Sequence, residues 1–241
     1  MGADEGAWGR PELATNVNFR EHREHLVRQG TGEVFRYIYR HNLWGSPESV
    51  SGQGSEDAAT ARLRAEIPAL LRRRGVRSIA DVPCGDFGWL RRTELGVDNY
   101  FGGDIVPELI EHNRKSYARP FRRFGVLDLT RDPLPTADLV LCRDCLVHLA
   151  FEQIWAALRN IRASGAAYLL ITTFPALQVN VDVETGDWRP LNFQLAPFGF
   201  PAPAELITEG CLEGAGRYAD KALGLWEVAA LNDILERPAT G

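Results

Sequence analysis

The sequence predicts a doubly wound α/β fold, with a mostly parallel sheet, helices on both faces and an antiparallel strand pair at the C-terminus. Three observations predict it. Short apolar runs of strand length alternate with helical patterns from residue 77 onward. The last run of that series, residues 168–174, is rich enough in apolar side chains to be buried on both faces. After Phe174 the alternation stops, and a loop of about thirty residues rich in proline and aromatics leads into two runs, residues 205–211 and 221–231, that suit a terminal antiparallel pair.

In chain order, residues 1 to about 16 hold glycine, proline, alanine and acids without periodicity and are expected to be a disordered tip. Residues 18–39 carry Phe, Leu, Val and Ile at helical spacings, so a helical extension is expected there. The stretch Trp44-Gly45-Ser46-Pro47-Glu48-Ser49-Val50-Ser51-Gly52-Gln53-Gly54-Ser55 reads as a loop with access to positive φ. Ser55-Glu56-Asp57 then offers oxygens suited to a helix N-terminus. Strands are expected over residues 78–82, 100–104, 124–129, 138–143 and 168–174, with helices near Trp89 and over 107–117 and 151–162 between them. The organisation is therefore an N-terminal helical extension and lid over residues 1–60, then one α/β domain over residues 61–241.

Composition narrows the function classes. A chain of 241 residues can bury a two-sided core without disulfides or metal. With 45% hydrophobic and 24% charged residues it reads as an ordinary soluble protein, and a formal charge of -5 gives no reason to expect nucleic acid as a partner. No run approaches the length of a membrane span and no basic-then-apolar leader is present, so a cytoplasmic protein with no membrane partner is expected. Cys84, Cys142, Cys145 and Cys211 are too few for a disulfide framework and read as thiols. Cys142-x-x-Cys145 superficially suggests zinc, but no second pair accompanies it, so no metal is expected. A homo-oligomer is left open.

In a doubly wound sheet, ligands bind beyond the carboxyl ends of the strands where strand order reverses. Here Asp81 ends an apolar strand and Pro83-Cys84-Gly85 follows, with Gly85 allowing close backbone approach to a ligand. The next strand, Tyr100-Phe101-Gly102-Gly103-Asp104-Ile105, ends in an acid placed to accept two ribose hydroxyl hydrogen bonds. The third, Val126-Leu127-Asp128-Leu129, also ends in an acid. Taken singly, each acid could merely cap the following helix; their occurrence in order makes a ligand site the stronger reading.

These places resemble the cofactor motifs of class I S-adenosylmethionine (SAM) dependent methyltransferases, over roughly residues 78–174. The resemblance implies a Rossmann-like catalytic domain with SAM as cofactor: Asp81, Pro83 and Gly85 at the methionine part, Asp104 and Ile105 at the ribose, and Asp128 and Leu129 at the adenine. The fourth strand end, Leu141-Cys142-Arg143-Asp144, matches the family's backbone contacts to the methionine side, which adds Cys142 and Arg143. Pro83 and Phe87 stand where the usual D-x-G-x-G-x-G has its first and third glycines, and proline removes an amide donor from the turn. The Trp44-Gly45 lead resembles the N-terminal lid of a bacterial small-molecule methyltransferase group, with an indole face that would attract a sulfonium; the plain alternative is a linker with a packing tryptophan.

Methyl transfer needs a positioned lone pair, and a base where the acceptor holds a proton. Asp144, as holder of a cationic acceptor, and His148, as base, are the expected catalytic residues; otherwise Asp144 caps a helix and His148 is a satisfied polar residue. Asp182, Glu184, Asp187, Trp188 and Asn192 in the long loop offer an acceptor wall, with Asp187, Trp188 and Asn192 joining Asp144 as substrate contacts; otherwise the loop acids are simply solvated. The expected acceptor is a polar small molecule, foremost the guanidino or amino nitrogen of an amino acid such as free arginine. The alternatives are O-methylation of a natural-product hydroxyl or carboxyl and a non-catalytic SAM-binding partner subunit.

Overall fold

Seven strands hydrogen-bond into one sheet in a computed structural model that describes residues 5–236. They are β1 (Ser78–Asp81), β2 (Asn99–Asp104), β3 (Arg122–Val126), β4 (Leu139–Cys142), β5 (Tyr168–Thr173), β6 (Glu205–Thr208) and β7 (Ala222–Glu227). Their order is β3-β2-β1-β4-β5-β7-β6; the first five are parallel, and β7 runs antiparallel to both β5 and β6. Six α-helices accompany them among the described residues: α1 (Ala14–Leu26), α2 (Thr31–His41), α3 (Asp57–Arg73), α4 (Pro107–Tyr117), α5 (Phe151–Ala163) and α6 (Asn232–Leu235).

Alternation along the strands assigns the helices to faces. Val140, Cys142, Leu169 and Ile171 point into a core shared with Ile154, Ala157, Leu158 and Ile161 of α5. Their neighbours Leu139, Leu141 and Leu170 point the other way, onto Leu63, Ile67, Leu70 and Leu71 of α3. A period of two in the strands therefore meets helices on both sides, and each fully buried Leu or Ile contributes roughly 1.5–3 kcal/mol. Strand order reverses between β1 and β4, so the carboxyl ends of β1, β2 and β4 frame the crevice where such sheets bind ligands.

Four expectations need correction. The helical extension is two helices rather than one, because Gly30 takes an extended conformation (φ -71°, ψ 157°) and starts α2 afresh. No α-helix forms near Trp89: Gly85 (φ 52°) and Phe87 (φ 58°) are left-handed, and only a single 3-10 turn, Leu90–Arg92, follows. β3 ends at Val126, two residues short of Asp128, whose side chain accepts from the Thr130 amide (3.0 Å) and hydroxyl (2.7 Å) and closes a turn. Finally, residues 5–13 of the expected disordered tip are pinned, while residues 1–4 lie outside the described residues. Trp8 is buried, donates to the Tyr218 hydroxyl at 2.9 Å and meets Trp188 edge-on; Arg10 holds Asp220 at 2.6 and 3.0 Å. One buried indole anchors a segment that has no periodicity to read.

No helix among the described residues is long and apolar enough to cross a membrane.

Candidate active site

At the switch point a cleft of about 1040 Å³, its open mouth included, is lined by Asp81, Pro83 and Gly85 after β1, Asp104 and Ile105 after β2, and Asp128 and Leu129 beyond β3. Trp44 covers it from the N-terminal segment, and Arg143, Asp144 and His148 close it from the end of β4. Cys142 does not line it; as a β4 residue it faces the α5 side of the core.

Two of the acids are buried without a salt-bridge partner among the described residues. Asp104 accepts the Val106 amide on Oδ1 (2.9 Å) and the Gly85 amide on Oδ2 (3.1 Å), so each oxygen keeps a lone pair for a ligand donor. Burial pushes its carboxyl up to about 6 against those hydrogen bonds. Asp81 is pushed up to about 7, chiefly by burial and in part by Asp104, although the Tyr100 hydroxyl donates to it. Both sites favour a ligand that brings hydroxyl donors or a positive charge. Asp128 differs, since Arg131 reaches its Oδ2 at 3.0 Å from the surface.

The loop after α2 is latched over this cleft. Ser49 Oγ donates to Asp86 Oδ2 at 2.7 Å, the Asp86 amide donates to Ser51 Oγ at 3.0 Å, and Arg143 Nη2 donates to the Gly54 carbonyl at 2.7 Å. The approach is close enough that a Cβ on Gly85 would fall 2.2 Å from Ser51 Oγ, and one on Gly54 2.9 Å from Asp144 Oδ2. A side chain at either position would have to displace Ser51 or Asp144, and Gly85 also takes a positive φ of 52° that favours glycine.

Beyond β4 the charges are paired instead. Arg143 holds Glu209 (2.6 Å) and Asp144 (3.3 Å), and Lys221 holds Asp144 (2.7 Å) and Glu209 (3.6 Å), with Arg143, Glu209 and Lys221 all buried. Burial alone would raise the Asp144 carboxyl, but Arg143 and Lys221 hold it well below the usual carboxylate range. Asp144 also sits at φ 51°, a left-handed conformation uncommon outside glycine, and its amide donates to Thr172 Oγ1 at 2.8 Å.

His148 stands between the two systems. Its Nδ1 lies 2.9 Å from the Asp187 carbonyl, which can only accept, so the proton sits on Nδ1 and Nε2 keeps its lone pair. Burial lowers the imidazole to about 4, outweighing that carbonyl and Asp144, so the ring is neutral at physiological pH. The Trp44 indole packs over it at 5.1 Å.

The chain matches no protein-family model and no curated protein by sequence. Solved structures do match. Magnesium protoporphyrin IX methyltransferase from Synechocystis, with bound SAM, is 12% identical and aligns over 82% of this chain and 96% of its own, with a TM-score of 0.57. Human N-acetylserotonin methyltransferase, in complex with SAM, is 15% identical over 87% of this chain and 66% of its own, also at 0.57. The methyltransferase domain of bacterial CtHen1 aligns over 70% of this chain and 98% of its own at 12% identity, with a TM-score of 0.52. This chain has the class I SAM-dependent methyltransferase fold.

Within that methyltransferase fold the long loop before β6 contributes less than its residue types suggest. Asn192 is buried outside both the cleft and its neighbouring cavity, with Nδ2 donating to the Pro175 (3.1 Å) and Leu177 (3.2 Å) carbonyls and Oδ1 accepting from Gln194. Asp187 also lines neither; its Oδ1 accepts from Asn16 and the Trp188 amide, both at 2.8 Å. Asp182 accepts the Phe151 amide, and Glu184 pairs with Arg23 at the surface. Trp188 does line the neighbouring cavity. Sequence reasoning missed Glu209 and Lys221, which no motif marks, and the Ser49, Ser51 and Asp86 latch, for which the serine-glycine run was the only signal.

Proposed function

We propose that the protein is a SAM-dependent methyltransferase acting on a small polar molecule, with residues 1–60 serving as extension and lid and the remainder as catalytic domain. The observation that carries this reading is the pair Asp81 and Asp104: buried carboxylates in one cleft, at successive strand ends, with no cation partner of their own among the described residues. That donor set fits SAM, whose ammonium suits Asp81 and whose ribose hydroxyls suit the free lone pairs of Asp104. Asp128 and Leu129 would meet the adenine, and the Trp44 face the sulfonium. When bound, SAM supplies an electrophilic methyl group.

The protein's own part is to orient the acceptor, exclude water and take a proton. His148, neutral and with Nε2 open, would accept the proton of an acceptor hydroxyl held beside it, with the methyl group supplied by SAM when bound. This favours O-methylation. A guanidinium acceptor such as arginine loses its expected partner, because Asp144 is already held by Arg143 and Lys221.

Calorimetric titration with SAM, followed by mass spectrometry of reactions with hydroxyl, amine and guanidine panels, tests the reading. We expect SAM binding and a hydroxyl product heavier by one methylene; SAM binding without product from any panel would favour a non-catalytic binder. His148→Asn should lower kcat by roughly 10²–10⁴-fold with SAM affinity unchanged. Retained turnover would remove the imidazole from the mechanism.

A further inference from the structure

Beside the cleft lies a second cavity of about 670 Å³, its open mouth included. The two share Trp44, Ser51, Asp144 and His148, so a ligand in the second cavity meets the same imidazole. Its remaining walls come from outside the central strands: Thr15 of α1, Trp188 of the long loop, and Glu213 from the turn between β6 and β7. On its floor Lys221 and Asp144 belong to the four-charge cluster with Arg143 and Glu209, two cations against two anions, which is electrically balanced.

Glu213 is not balanced. It is half-buried, accepts from the Cys211 thiol at 3.3 Å, and has no cationic nitrogen within 4.0 Å among the described residues. Glu213 thus adds a third carboxylate beside two cations, with no cation in direct contact, and is open to a ligand that brings one. Two indoles, Trp44 and Trp188, line the same space and attract positive charge to their faces.

We propose that the second cavity is the methyl-acceptor site and that it selects acceptors carrying a cationic nitrogen, which Glu213 binds beside the Trp44 and Trp188 rings. The inference rests on the methyltransferase reading and adds the charge of the acceptor to it. The cationic nitrogen is a recognition handle, separate from the hydroxyl that His148 deprotonates.

The test uses the full chain saturated with S-adenosylhomocysteine and three phenols matched in ring and hydroxyl: tyramine (cationic), 4-methylphenol (neutral) and 4-hydroxyphenylacetate (anionic), with binding read by calorimetry. Tyramine should bind at least about tenfold tighter than 4-methylphenol, and Glu213→Gln should shrink that preference to about twofold or less while leaving S-adenosylhomocysteine affinity unchanged. Glu213→Lys should turn the preference toward 4-hydroxyphenylacetate. Equal affinities for the three, no binding of tyramine, or a tyramine preference that survives Glu213→Gln overturns the inference alone. Failure to bind S-adenosylhomocysteine at all overturns the methyltransferase reading and this inference with it.

Discussion

The two sides of the switch point carry acids in opposite states. On the β1 and β2 side, Asp81 and Asp104 have no salt-bridge partner among the described residues and burial raises their carboxyls to about 7 and about 6. On the β4 side, Asp144 is only partly buried and is held far below the ordinary range by Arg143 and Lys221. The difference teaches which acids are available. A buried charge that the protein leaves unpaired is a place for a ligand, whereas one already surrounded by opposite charge is part of the scaffold.

The largest test of that contrast is stability. Arg143→Met leaves Glu209 and Asp144 sharing Lys221 in a buried site, and should cost roughly 3–5 kcal/mol in urea denaturation. A loss under about 1 kcal/mol would mean that the cluster is not structural. Asp104→Asn should behave the other way round, changing stability far less than Arg143→Met does while weakening SAM binding by roughly 1–3 kcal/mol in calorimetry. Unchanged affinity would sink the ribose assignment.

The smallest expected effect is a pH dependence. Because the carboxylate form binds a cation or hydroxyl donors, SAM affinity should fall on the order of tenfold between pH 8 and pH 6, as Asp81 and then Asp104 take up protons. Asp81→Asn should flatten that profile. The stability sign follows from the same shifts: both folded values lie above the unfolded value near 4, so the contribution is complete below about 4 and lost as pH rises through 6 and 7. Asp81→Asn should therefore stabilise the ligand-free protein more at pH 8 than at pH 5, and an equal effect at both would contradict the raised carboxyl.

Much of the fold was legible. The parallel strands announce themselves as short apolar runs because both faces of the sheet are covered, and β5 is the clearest case. That Asp81, Asp104 and Asp128 share one cleft was legible for a related reason: a strand end fixes its side chains close to the backbone, so sequence position nearly determines spatial position. The acceptor side was not. Asp187 and Asn192 have residue types suited to a substrate but spend their polar atoms on Asn16 and on loop carbonyls, and Glu213, which does reach the cavity, sits in an irregular turn with no period to read.

The sequence by itself determined the doubly wound sheet, its antiparallel edge and the run of acids at the strand ends, because those follow from local periodicity and from chain order. Tertiary structure alone decided that Asp144 is neutralised by Lys221, 77 residues away, that Trp8 anchors the N-terminus on Tyr218, and that Thr15, Trp188 and Glu213 meet around one cavity. The physical reason is range: hydrogen-bonded ladders and helices are written in neighbouring residues, whereas pairing of buried charges depends on which distant segments the fold brings together.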